Sequence, residues 1–120
     1  MDEIKDVTDI DLSNNGIVEI TPLRDLSLIV YLNLGNNRIK NMAIFSLDDA
    51  FLNLKWLDIS NNKFTEMPAF KCPKLEYLNI TGNKLDKVNE TWIGHENLRT
   101  VVAVDNKFKS LAPFKMMPRL

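Results

Sequence analysis

The chain has 120 residues, a length that suits one domain. Hydrophobic residues make up 45% of it and charged residues 26%, which excludes disorder for the bulk of the chain. Fifteen Lys+Arg against sixteen Asp+Glu leave a formal net charge of -1, without the basic excess of a general nucleic-acid binder.

A repeat begins at Val7 and sets the order of every later element. Val7, Ile10, Leu12, Asn15 and Ile17 stand in the pattern LxxLxLxxNxI. The pattern returns from Ile29 (Leu32, Leu34, Asn37, Ile39) and from Leu54 (Leu57, Ile59, Asn62, Phe64). It returns again from Leu75 (Leu78, Ile80, Asn83, Leu85) and from Leu98 (Val101, Ala103, Asn106, Phe108). An asparagine held in register through all copies makes the signal specific. Within each copy the L-x-L pair has period two, so both side chains face one way on a short strand. Stacked copies predict a parallel sheet, with the remainder of each repeat as its crossover.

The first crossover places Ile17, Ile20, Leu23 and Leu26 at three-residue spacing, with Pro22 among them. That spacing predicts 3₁₀ turns and extended chain. The second carries the longest insert, Met42 to Phe51, and predicts a short helix there. The third (Phe64, Met67, Phe70) and the fifth (Phe108, Leu111, Phe114, Met117) repeat the spacing of three. Leu120 falls where a sixth repeat would open, so the sequence predicts an apolar C-terminal edge without a cap. The domain organisation is thus one domain over residues 1–120, with repeats starting near 7, 29, 54, 75 and 98.

The asparagines Asn15, Asn37, Asn62, Asn83 and Asn106 sit where each strand turns into its crossover. An amide donates and accepts, so in register they predict a structural ladder inside the solenoid. The residues before them, Asn14, Asn36, Asn61, Gly82 and Asp105, all tolerate a left-handed backbone.

No catalytic or metal constellation is read from the chain. Cys72 and His95 are single residues of their kinds and cannot make a zinc site alone. A Cys72-dependent enzyme is the alternative from another class, and it needs the two close in space. The glycines form no phosphate-cradling motif. The longest apolar run, Leu28 to Leu32, is far short of a membrane span. One cysteine and an acidic start without a secretory core read as intracellular. No cofactor, metal, nucleic acid or membrane is expected.

The residues between the core positions of each strand point outward and make the candidate binding face. One column reads Asp9, Tyr31, Trp56, Tyr77, Thr100. The next reads Asp11, Asn33, Asp58, Asn79, Val102, and the third Ser13, Gly35, Ser60, Thr81, Val104. An exposed aromatic stripe of Tyr31, Trp56 and Tyr77 suits protein binding, since Tyr and Trp are enriched at hot spots. Asn33, Asp58, Asn79, Val102 and Val104 complete that candidate surface.

Over residues 7 to 111 the pattern resembles the leucine-rich-repeat proteins. The short repeat and the IxxIxxLxxL crossover of residues 17 to 26 resemble the class of the protein phosphatase 1 regulator. That class includes axonemal dynein light chain 1 and the U2 ribonucleoprotein A-prime protein. The stretches DIDLSNNGIVEITPLRDL, CPKLEYLNITGNKLDKV and ENLRTVVAVDNKFKSL are most similar to the radial-spoke members of motile cilia. The resemblance implies an α/β leucine-rich-repeat solenoid with a parallel β-sheet on its concave face and 3₁₀ turns and extended segments on its convex face. It implies a non-catalytic protein-binding scaffold in a ciliary axoneme complex, located in the cytoplasm or axoneme. A phosphatase-regulating or ribonucleoprotein adaptor is the alternative within binding modules.

Overall fold

The computed structural model describes residues 7–67, 69–86 and 97–107. Five short strands form one parallel sheet: β1 (Asp9–Asp11), β2 (Tyr31–Asn33), β3 (Trp56–Asp58), β4 (Tyr77–Asn79) and β5 (Thr100–Val102). They pair in chain order, each with the next. The register is that of the repeat: Ile10, Leu32, Leu57, Leu78 and Val101 stand side by side. The solenoid expected from the repeat is the fold observed.

The core lies directly behind the sheet. Leu32, Leu34, Leu57, Ile59, Leu78 and Ile80 are fully buried, as period two requires. Behind them the crossovers bring Phe45, Phe51 and Phe70 together, with ring centroids 4.9 Å and 5.8 Å from Phe45. Phe70 takes a left-handed backbone, φ 48°, although it is buried and aromatic. No local signal in the sequence announces that conformation.

The first crossover contains a 3₁₀ turn, Thr21–Asp25, with proline at its start and Leu23 buried beneath it. The insert from Met42 to Phe51 holds its short helix in 3₁₀ form, Ala43–Ser46, which buries Ile44 and Phe45. Asp48 and Asp49 are exposed and follow the turn after its C-cap, Leu47. The fifth crossover, from Phe108 onward, and the C-terminal edge at Leu120 lie outside the described residues.

Each strand leaves the sheet through a left-handed residue. Asn14, Asn36, Asn61 and Asp105 have φ of 60°, 58°, 52° and 55°, and Gly82 has 71°. The asparagine after each then closes the turn. Nδ2 of Asn62 donates to the Leu34 carbonyl of the preceding repeat at 3.0 Å and to the Ile59 carbonyl of its own at 3.1 Å. Its Oδ1 accepts from the Ile39 N–H at 3.1 Å. Asn37 and Asn83 are buried in the same pattern, and Asn106 is half-buried. Asn15 departs from the expectation of a fully interior ladder. It is exposed, and its Nδ2 donates only to Leu12 and Ser13 of its own turn, because no repeat among the described residues precedes it.

Candidate functional site

The parallel register brings the outward columns into contact on the concave face. Tyr31 stands opposite Trp56, and Trp56 opposite Tyr77. Tyr31 and Trp56 stack with centroids 4.2 Å apart and planes 13° from parallel. Trp56 and Tyr77 stack at 4.9 Å and 3°. Strand spacing of about 4.8 Å is close to the separation of stacked rings, so the sheet itself enforces the stack.

The stack corrects one expectation. All three rings are half-buried, because each covers its neighbour. Both faces of the Trp56 indole are occupied. What the stripe offers to solvent is a row of ring edges and, at its ends, the outer faces of Tyr31 and Tyr77. Asp9 flanks the first of these and Thr100 the second, and both are exposed.

The acid-amide column does a job that the sequence reading missed. Oδ1 of Asn33 accepts from the Gly35 N–H at 2.9 Å, and Oδ1 of Asp58 from the Ser60 N–H at 2.8 Å. Oδ1 of Asn79 accepts from the Thr81 N–H at 3.0 Å. Oδ1 of Asp11 accepts from both the N–H and the hydroxyl of Ser13, at 3.0 and 2.6 Å. Those bonds hold the Asp11 carboxyl below its usual range. Each side chain thus ties down the backbone where the strand ends, and Asn33, Asp58 and Asn79 are half-buried. A signal was available: the residue two places on is always small, Ser13, Gly35, Ser60 or Thr81. Gly35 and Ser60 are buried, so the third column is outward in phase but not free. A Cβ on Gly35 would lie 3.2 Å from both Asn33 Oδ1 and Ser60 Oγ. Val102 is half-buried and Val104 is 61% exposed.

Charge is unevenly distributed over the fold, with exposed Lys55 and Arg99 directly before β3 and β5. The three outward columns hold Asp9, Asp11 and Asp58 and no Lys or Arg. Arg38, Lys63, Lys84 and Lys107 occupy one register position on the crossover side of the asparagines. Their N–H groups donate to the carbonyls of Ile17, Ile39, Phe64 and Leu85, one repeat back. All four are exposed.

Cys72 is 1% exposed, and burial pushes its thiol up to about 12. A thiolate nucleophile requires the opposite shift, so the structure argues against a Cys72-dependent enzyme. His95 lies outside the described residues. Among the described residues no group of His, Cys, Asp and Glu is placed to hold a metal ion. Nor is any helix among them long and apolar enough to cross a membrane. An open cavity of about 500 Å³ beside the 3₁₀ turn at Ala43–Ser46 is lined by Lys40, Asn41, Met42, Thr65, Glu66 and Met67, among others. It lies on the crossover side, away from the aromatic column.

Residues 52–91 match the family described as Leucine Rich repeats (2 copies). The chain is 29% identical over 89 residues to human leucine-rich repeats and immunoglobulin-like domains protein 3, covering 72% of this chain and 8% of that protein. It is 28% identical over 116 residues to mouse leucine-rich repeat serine/threonine-protein kinase 1, covering 88% of this chain and 6% of that one. Among solved structures, internalin C2 of Listeria monocytogenes superposes with a TM-score of 0.80 at 27% identity. That match covers 92% of this chain and 47% of the internalin chain. The chain therefore spans less than a tenth of these two relatives and about half of that structure. Residues 52–91 thus match leucine-rich repeats, and the chain has the fold of a leucine-rich-repeat solenoid. Proteins of this construction work, as a class, through extended concave binding surfaces.

Proposed function

We propose that this chain is a non-catalytic protein-binding scaffold and that its partner lies across the concave face, over Tyr31, Trp56 and Tyr77. The observation that carries this reading is the in-register stack of the three rings. A stack held by the sheet is rigid before binding, so little side-chain entropy is lost when a partner covers it. Asp58, Asn33 and Asn79 act at one remove, fixing the strand ends beside the stack. Val102 and Val104 extend the surface with apolar area beyond β4.

The repeat phrasing at residues 9–26, 72–88 and 96–111 supports a ciliary axoneme complex of radial-spoke type as the setting. That setting rests on the phrasing alone, and the relatives described above are proteins of other kinds. The test is affinity capture from cell extract with the wild-type chain and Trp56→Ala side by side, read by mass spectrometry. Proteins held by the wild type and lost by the variant support the concave site, and axonemal proteins among them support the setting. Identical captured sets overturn the site.

A further inference from the structure

The two ends of the aromatic stack are chemically different, and that difference points to the partner. Inside the stack every ring face is taken. At the β1 end, the outer face of Tyr31 rises beside Asp9, whose register partner it is. Asp9 is far shorter than tyrosine, so the pair makes a step: an aromatic wall with a carboxylate at its foot. Asp9 is exposed and in no ion pair among the described residues. Asp11 lies two residues on, with one oxygen engaged by Ser13. The outward positions of the first two repeats (Thr8, Asp9, Asp11 and Ser13; Val30, Tyr31, Asn33 and Gly35) include no Lys or Arg to neutralise them. At the β5 end, the matching step over Tyr77 has Thr100 at its foot, with Val102 and the exposed Val104 beyond.

The geometry points to an arginine of the partner as the group that fills the first step, its guanidinium flat on the outer face of Tyr31 and paired with Asp9. This rests on the concave face being the binding site. A guanidinium is planar, always charged and weakly hydrated, so it stacks on a ring and donates to a carboxylate at the same time. A lysine ammonium makes the charge pair but not the planar stack. Asp9 and Asp11 make the described outward positions of the first two repeats negative, which favours a basic group and disfavours an acidic one. The β5 end, with Val102 and the exposed Val104 but also the exposed Arg99 beside Thr100, lacks that carboxylate and takes the apolar part of the same segment. The face therefore reads the partner in one direction.

A random peptide library displayed on phage, selected on the intact chain, tests this. Clones are sorted first by whether binding is lost on Trp56→Ala. Clones that require Trp56 should be enriched in arginine. The strongest, made as a free peptide, should bind Asp9→Asn about tenfold or more weakly by calorimetry. Asp48→Asn, at an exposed aspartate on the crossover side, should bind it like wild type. Replacing the peptide arginine by citrulline, planar but neutral, should cost at least as much as Asp9→Asn, and replacement by lysine should cost less. Binders that require Trp56 but show no arginine enrichment, or ignore Asp9→Asn, overturn the arginine assignment and leave the concave site standing. Binders indifferent to Trp56→Ala, or a selection without any that require it, overturn both.

Discussion

A Cβ on Gly82 would stand 2.0 Å from Oδ1 of Asn61, one repeat upstream. Asn14, Asn36, Asn61 and Asp105 hold the corresponding turn in the other repeats, but at residue 82 the neighbouring asparagine already fills the space. Gly82→Ala should therefore destabilise the fold through both the clash and φ of 71°. The expected cost is about 1–3 kcal/mol, most of it left-handed strain, because the clashing atom is the far end of the exposed Asn61 side chain. Replacing Asn61 by glycine in the same chain should recover the overpacking part, and a double-mutant cycle by urea melts measures it. Additive losses would show that the two side-chain positions do not compete.

The ladder asparagines are not equivalent. Asn62→Ala leaves the Ile39 N–H without its partner and takes one of two amide donors from each of the Leu34 and Ile59 carbonyls, which keep Asn37 and Asn83, in a buried turn. It should cost about 1–3 kcal/mol or more. Asn15→Ala, at an exposed turn, should stay within about 0.5 kcal/mol of wild type. Thermal melts of the two variants check the contrast, and equal losses would count against it.

Trp56→Ala removes two stacked pairs and should lower stability by about 1–3 kcal/mol, each pair contributing roughly 0.5–1.5 kcal/mol. Leu57→Ala, at the fully buried neighbour, should cost about 2–5 kcal/mol through a cavity. Circular dichroism melts give both values. The stack makes Trp56 partly structural, so its binding test needs the variant shown folded at the assay temperature.

Thr81 Oγ1 is buried and has no hydrogen-bond partner among the described residues. Thr81→Val replaces an unsatisfied hydroxyl by a methyl group, with valine already present at the same register position in Val104. It should be neutral or stabilising by about 1 kcal/mol. A clear loss in a urea melt would mean that the hydroxyl is bonded.

Cys72 gives a pH signature. Burial raises its thiol from an ordinary value of 9.0 to about 12, so the folded chain keeps a proton that the unfolded chain gives up. The stability from this group is whole below about pH 9 and is lost as pH rises toward 12. Cys72→Ala should lose less stability than wild type across that window. At neutral pH the native thiol should resist a thiol reagent and react on unfolding.

Much of this was legible before any coordinates. Period two at Leu32 and Leu34, repeated at Leu57 and Ile59 and at Leu78 and Ile80, dictates strands, their inner face and their register. Parallel stacking of equivalent positions then follows. The left-handed turns were legible too, because residue types that tolerate positive φ recur before each asparagine. The columns Tyr31, Trp56, Tyr77 and Asn33, Asp58, Asn79 could be written down from spacing alone. These are local or repeat-periodic properties, carried by side-chain phase and backbone preference. What only the tertiary structure decided depends on atoms from the next repeat. It sets the ring separation that half-buries Trp56, the Asn61 amide that crowds residue 82, and the exposure of Asn15, which no repeat among the described residues precedes. It also places Phe70 at positive φ under Phe45 and spends an oxygen of Asp58 on its own backbone. A repeat pattern states which residues meet; packing distances state what each has left to offer.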